Sequence, residues 1–307
     1  MNTLFYEAGI IVFERGWLSS NNVLLAASPA DEAVLVDSGY VSHAEQTVAL
    51  VRSALGGRRL DRIVNTHLHS DHCGGNQALQ QAFGCAIDVP IGEASKVDAW
   101  DEEALTYRAT GQECPRFRRT GSIAPGEELV HGALRWRVLA APGHDPESVV
   151  LYEPDLQLLI SADALWANGF GVVFPEIVGE PGFDDVRRTL EMLANLRVRW
   201  VIPGHGAPFD DFGAAVARAL KRLRGLAADP AKHARHAAKV LIKFHLLDVQ
   251  ACSIEELNSW LDQVPYVGMT HDAHFAGVQM RAWRTDLLSE LIESSAIRID
   301  GTLVRNI

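Results

Sequence analysis

Residues 66–75 read THLHSDHCGG. Three histidines (His67, His69, His72) and Asp71 fall within six residues. They follow the short apolar run 62–65 (RIVN) and precede a helix-favouring segment, 75–83, that stops at Gly84. The local reading is strand, loop, helix. A loop at the end of a buried strand can turn several side chains toward one point. Neutral imidazole and carboxylate are the usual ligands of Zn²⁺, and histidine also serves Fe and Mn. A lone histidine is most often an ordinary surface or core residue, but three with an aspartate at one strand end point to a metal site.

Working outward, runs of the same kind recur at 9–13, 22–27, 33–37, 85–89, 134–139, 148–152, 156–161 and 199–202. They are short, rich in Val, Ile and Leu, and bounded by Gly, Pro, Asp or Asn, which are strand signals. Between them, Ser42 and Glu45 have capping-box spacing ahead of a helix that runs to Gly56–Gly57, and 184–196 has acidic residues at its start. After Phe212 the pattern changes: 213–226, 231–247, 253–263 and 279–294 favour helix, and 296–307 reads as two strands around Asp300–Gly301. The expectation is an α/β domain over 1–210 and a mainly helical unit over 211–307. Residues 98–127 are charged, poorly periodic and long, as segments beside functional sites often are.

The segment at 67–72 resembles the HxHxDH signature of the metallo-β-lactamase-fold superfamily, and the other elements of that family follow in order. PGH at 142–144 resembles the second ligand segment, SAD at 161–163 the bridging carboxylate, and PGH at 203–205 the last ligand, while Asp37 and Gly39 end a stretch like the opening hairpin. The likeness spans roughly 8–210. It implies an αββα sandwich and two divalent metal ions, Zn first, with Fe or Mn as alternatives. By resemblance, His67, His69 and His144 hold one ion, Asp71, His72 and His205 the other, and Asp163 bridges them. Two metals about 3.5–4 Å apart can share a hydroxide active at neutral pH. The implied activity is hydrolysis of a thioester, ester or lactone carbonyl by a metal-bridging hydroxide, with Asp71 as proton carrier. The last segment reads PGHGAP where glyoxalase II has GHEYT, which points away from that one activity.

Residues 164–181 place Trp166, Phe170 and Phe174 among glycines just past Asp163, as an acyl-accepting pocket would require. The C-terminal unit resembles the helical, winged-helix-like appendages of several superfamily members. It is read as a cap over the site, with Tyr266 and Trp283 as candidate substrate contacts near an inter-helix turn. Cys73 reads as a packed small residue, and His43 and His131 as surface residues. The basic residues of 221–243 read as a solvated helix face open to an anionic group.

The 307 residues are 48% hydrophobic and 22% charged, so the chain can bury a full core. The formal net charge is −11. Residues 211–307 carry 12 Lys+Arg against 11 Asp+Glu, so the acidic excess lies in 1–210. That balance disfavours nucleic acid as a partner and leaves a small-molecule substrate. A homodimer is compatible with it. Four cysteines without CxxC spacing argue against a disulfide scaffold or thiolate zinc site. The N-terminal segment lacks a basic, apolar leader pattern and no run is long enough to span a membrane, so the expected compartment is the cytoplasm. Two alternatives stand beside the hydrolase: a non-enzymatic regulatory or binding protein on the same metal-containing fold, and a phosphodiesterase or nuclease.

Overall fold

The computed structural model describes residues 3–28 and 30–307. A short helix, α1 (Thr3–Glu7), leads into a six-stranded sheet: β1 (Ile10–Phe13), β2 (Asn22–Leu25), β3 (Val34–Val36), β4 (Arg62–Val64), β5 (Ala86–Pro90) and β6 (Gly121–Ile123), in that spatial order. The first three strands pair antiparallel and β3 to β6 pair parallel. Parallel neighbours need crossovers. Helix α2 (Ala44–Leu55) makes the first, α3 (Ser70–Cys73) and α4 (Asn76–Phe83) the second, and α5 (Ala94–Ala99) and α6 (Tyr107–Thr110) the third.

The second sheet has the order β11-β10-β9-β8-β7. Its strands are β7 (Glu128–His131), β8 (Leu134–Ala140), β9 (Val149–Glu153), β10 (Leu158–Ala162) and β11 (Trp200–Pro203). Only β10 and β11 run parallel, joined through α7 (Phe174–Ile177) and α8 (Phe183–Ala194).

Strand periodicity sets the layers. Val23, Leu25, Val34, Val36 and Val64 face inward and meet Trp136, Val138, Val149 and Leu151 of the second sheet. Leu24, Leu35, Ile63 and Ile87 face outward onto Val48, Val51 and Leu55 of α2 and Leu79 of α4. On the far side, Val150, Leu159 and Val201 pack against Val186, Leu190 and Leu193 of α8 and against α9 (Phe212–Ala228). This is the expected αββα sandwich.

The remaining chain is α10 (Pro230–Val249), β12 (Ala251–Ser253), α11 (Ile254–Gln263), α12 (Pro265–His274), α13 (Met280–Glu293), β13 (Ile297–Asp300) and β14 (Leu303–Asn306). The three strands pair in the order β12-β14-β13. Helices α10 to α13 bury their own cluster around Leu241, Leu257, Val267, Trp283 and Leu287. Helix α9 lies on the second sheet instead, although the boundary expected at 211 groups it with the C-terminal unit.

Several local expectations are corrected. Ser42 and Glu45 form no capping box: a 3₁₀ turn, Val41–His43, runs straight into α2, so Ser42 lies inside the turn and His43 takes the cap position. Tyr266 lies in the first turn of α12, just past the break at Val264 that separates it from α11, and His271 lies within the same helix. The last hairpin turns at Gly301–Thr302, because Asp300 pairs with Leu303. His131 is buried, with Nε2 accepting the Ala27 amide. Among the described residues, no helix is long and apolar enough to cross a membrane.

Candidate metal centre

Seven side chains converge at one edge of the sandwich. His67, His69, Asp71 and His72 come from the loop after β4 and the first turn of α3. His144 sits in the β8–β9 connection, Asp163 directly follows β10, and His205 lies just past β11. Backbone bonds lock these edges together: the Val149 amide donates to Thr66 at 2.9 Å, and the Asn21 amide to Gly204 at 2.6 Å. Two glycines allow the close approach. A Cβ on Gly204 would stand 2.1 Å from Asp163 Oδ1, and one on Gly171 2.4 Å from His144 Nδ1.

The donors form two groups, each with its ligand atoms within 4.8 Å of one another: His67, His69 and His144, and Asp71, His72, Asp163 and His205. Asp163 lies between them. Its Oδ2 is 3.4 Å from His144 Nε2 in the first group, and its Oδ1 is 3.4 Å from His72 Nε2 in the second. His69 Nδ1 and His144 Nε2 approach to 2.7 Å, and His205 Nε2 stands 3.0 Å from Asp71 Oδ2.

The outer ring nitrogens determine which inner lone pairs are free. Asp37 accepts the Thr66 amide at Oδ1 and the Thr66 hydroxyl at Oδ2, both at 2.8 Å. The same Oδ2 accepts from His72 Nδ1 at 2.8 Å. With its hydroxyl proton committed to Asp37, Thr66 Oγ1 accepts from His67 Nδ1 at 3.1 Å. His144 Nδ1 donates to the Val172 carbonyl at 2.5 Å. The buried Nε2 atoms of His67 and His72 are left without hydrogen-bond partners among the described residues. Buried polar atoms are ordinarily satisfied, so two orphaned imidazole nitrogens aimed into a carboxylate cluster fit metal ions. The donor set can hold two.

The electrostatics divide the donors: against burial, Asp37, Asp163 and Asp71 together raise His72 well above its ordinary pKa, a positive charge whose place a cation would take, whereas the three histidines of the first group are held neutral. Burial, reinforced by neighbouring histidines, pushes His67 well below its ordinary pKa, and burial takes His69 and His144 to about 4. They are neutral, ligand-competent imidazoles at pH 7. Burial opposes charge on Asp163, but His205 and His72 outweigh it and hold its carboxyl well below the usual range. Asp71 is lowered in the same way against burial, by His72 and His205. Both carboxylates are ionised.

A cavity of about 640 Å³ opens over the donors. Trp166, Phe170 and Phe174 line it, as do His69, Asp71, His144, Asp163 and His205. Trp166 also donates its Nε1 proton to Asp163 Oδ1 at 3.1 Å. Thr110 and Gln112 bring the long 98–127 segment to its wall. Tyr266 does not line it; it backs Phe174 at a ring distance of 5.9 Å. Trp283 is 1% exposed and packs on Phe275 and His271 inside the C-terminal cluster. The far wall is Val240, Leu241 and Phe244 of α10, and Trp17 stacks on His205 at 5.3 Å. These four residues carry no local motif. The apolar face of α10 is visible in sequence, but what it faces is not.

The superfamily model that matches this chain, described as "Metallo-beta-lactamase superfamily", covers residues 15–205. The chain belongs to the metallo-β-lactamase superfamily. Within it, the chain is similar to the hydroxyacylglutathione hydrolase of Brucella anthropi, at 31% identity over 52% of this chain and 51% of that protein. The Brucella ovis protein of the same name is also 31% identical, over 38% of each chain. The chain thus spans about half the length, or less, of these curated relatives. Two solved superfamily folds superpose broadly. A metallo-β-lactamase family protein of Thermus thermophilus has a TM-score of 0.59 at 20% identity, covering 97% of this chain and 99% of that one. A β-lactamase domain protein of Burkholderia ambifaria has a TM-score of 0.55 at 20% identity, covering 86% of each.

Proposed function

We propose that this protein is a metal-dependent hydrolase of thioester, ester or lactone carbonyls, with thioesters first. The observation that carries the reading is the placement of Asp163 within 3.4 Å of both histidine groups, at the floor of an apolar cavity. By this reading His67, His69 and His144 would hold one ion and Asp71, His72 and His205 the second, with Asp163 placed to serve both. Imidazole and carboxylate donors without thiolate favour Zn²⁺, with Fe and Mn also served. When bound, such a pair supplies Lewis acidity, making water nucleophilic at neutral pH and offsetting negative charge on the attacked carbonyl.

The chain's own groups do the rest. Phe170, Phe174, Leu241 and Phe244 exclude water and accept the acyl portion. Asp71 reaches the cavity as an ionised carboxylate and is the proton carrier, taking the proton of the attacking water and returning it to the leaving group. Trp166 holds Asp163 in orientation through its indole N–H. The similarity to hydroxyacylglutathione hydrolases, whose named substrate is a thioester, supports the same class.

The test is a screen of thioesters, lactones and phosphodiesters with protein loaded in turn with Zn²⁺, Mn²⁺ and Fe²⁺, beside chelated protein and elemental analysis. Metal-dependent thioester turnover is expected. Loaded protein that cleaves phosphodiesters alone, or nothing, would refute the reading.

A further inference from the structure

A second cavity, about 720 Å³, lies between α9 and α10. Six cationic side chains line it: Arg218, Lys221, Arg222, Lys232, Arg235 and Lys239. Glu290 is the one carboxylate in its wall, and it is taken by Arg235 and Lys239. Arg218 pairs with Asp211. Among the described residues, Lys221, Arg222 and Lys232 have no carboxylate partner. His236, also in the wall, adds no charge: burial takes its pKa to about 4, and its Nε2 accepts from Arg222 at 3.0 Å. A chain with net charge −11 thus concentrates uncompensated positive charge in one cleft. Self-repulsion makes that costly, and a bound polyanion relieves it.

The cleft adjoins the cavity over the metal donors. Arg222 and His236 line both. The Arg222 guanidinium lies over the Phe170 ring at 5.3 Å, and a Cβ on Gly169 would meet Arg222 Nη1 at 2.6 Å. Arg222 is therefore held at the junction by packing, with no counter-charge. A substrate seated across this junction has its electrophilic carbonyl above the donors, an apolar stretch past Phe170 and an anionic end between the helices.

We infer that the α9–α10 cleft binds the phosphate-bearing end of a thioester's thiol carrier, so that the substrate class is an acyl thioester of a phosphorylated, nucleotide-type carrier. This rests on the hydrolase reading above. Phosphates are favoured over carboxylates by charge and by size. Three unpaired cations exceed what a glutathione group, with a net charge of about −1, neutralises, and the volume falls within the range of roughly 300–1,000 Å³ that suits a whole small-molecule group. The cleft is a recess between two helices rather than a broad basic face, which favours a small ligand over a nucleic acid duplex.

The experiment uses the full-length, metal-loaded protein and 3′,5′-ADP as probe, with calorimetry as readout. The expected result is saturable binding that weakens at least about tenfold in Lys221→Glu/Lys232→Glu; both side chains are exposed, so the fold should survive, and circular dichroism confirms it. Arg222→Met should weaken binding as well. In parallel, kcat/KM for a coenzyme A thioester should exceed that for the pantetheine thioester of the same acyl group by at least about tenfold, an excess that shrinks with added salt. Absent binding, or an equal Kd in the charge-reversal variant, overturns the inference. So does equal turnover of the two thioesters, which would leave the thioesterase reading standing. Probe binding that weakens in the variant without any thioester turnover upholds the cleft as a phosphate site and removes the thioesterase reading. A short DNA duplex that displaces the probe and binds more tightly would assign the cleft to nucleic acid.

Discussion

His72 Nδ1 and Asp37 Oδ2 stand 2.8 Å apart, both buried, and this contact points Nε2 of His72 at Asp163. Asp37 directly follows β3, whereas His72 belongs to the helical turn after β4, so the ends of neighbouring parallel strands fix a single ring. Asp37 adopts φ 58, a left-handed conformation that asparagine tolerates. Asp37→Asn should therefore keep the backbone while weakening the imidazole as a donor, lowering metal affinity by about 10–100-fold. Chelator competition measures it; unchanged affinity would show that Asp37 does not tune the site.

Asp163→Asn keeps the shape and removes the charge between the two donor groups. Metal content should fall from about two per chain toward one, and hydrolysis should drop by at least about a hundredfold, with the circular dichroism spectrum unchanged. Turnover surviving within a few-fold would sink the bridging role.

Phe244→Ala and Leu241→Ala open the α10 wall of the cavity. Removing a side chain that contacts the acyl group costs roughly 1–3 kcal/mol of binding, so KM for long-chain thioesters should rise at least several-fold. Acetyl thioesters and metal content should change little. Identical KM profiles across chain lengths would place the acyl group elsewhere.

Trp283→Ala is a different kind of change. The ring is enclosed by the C-terminal helices and does not reach the cavity, so the expected effect is a loss of about 3–5 kcal/mol in stability. Urea denaturation of the metal-loaded protein reads it directly. A variant with wild-type stability and altered acyl preference would contradict the packing.

His233 gives a pH dependence. It is buried, its Nε2 accepts the Val173 amide at 3.1 Å, and burial lowers its pKa from 6.5 to about 4. The unfolded chain takes up this proton at the higher pH and the folded one only near 4. The contribution is therefore whole above about 6.5 and is lost as pH falls toward 4, about 3 kcal/mol at most. Substituting His233→Gln should flatten the acid limb of a stability-against-pH curve over that window. An unchanged limb would assign it to other groups.

The donors are legible in sequence because each stands in a short loop at a strand end, beside residues with unmistakable signatures: His67 to His72 before Gly74–Gly75, His144 and His205 each after Pro-Gly. Of the strands beside them, β4, β9, β10 and β11 are largely buried on both faces and read as continuous apolar runs, whereas β8 alternates between buried and exposed residues. Strands β6 and β7 are not legible: GSI is too short to show alternation, and ELVH exposes every second residue to solvent. Helix α12 hides behind Pro265, Gly268 and a weak apolar periodicity. Trp283 misleads because size and position in sequence say nothing about which side of a helix meets the site. The wall formed by Val240, Leu241 and Phe244 depends on how α10 docks, a relation between distant segments that no local pattern encodes.

Neither donor group belongs to one half of the sandwich. His67 and His69 descend from the first sheet and His144 from the second; Asp71 and His72 likewise meet Asp163 and His205 across the gap. Each ion would act as a clasp between half-domains that otherwise adhere through their apolar faces. Affinity for metal and adhesion of the halves then become one quantity, because binding free energy is folding free energy when the site exists only in the closed form. A change buried far from any donor, such as trimming Trp136 between the sheets, would surface first as a protein that surrenders its ions too easily.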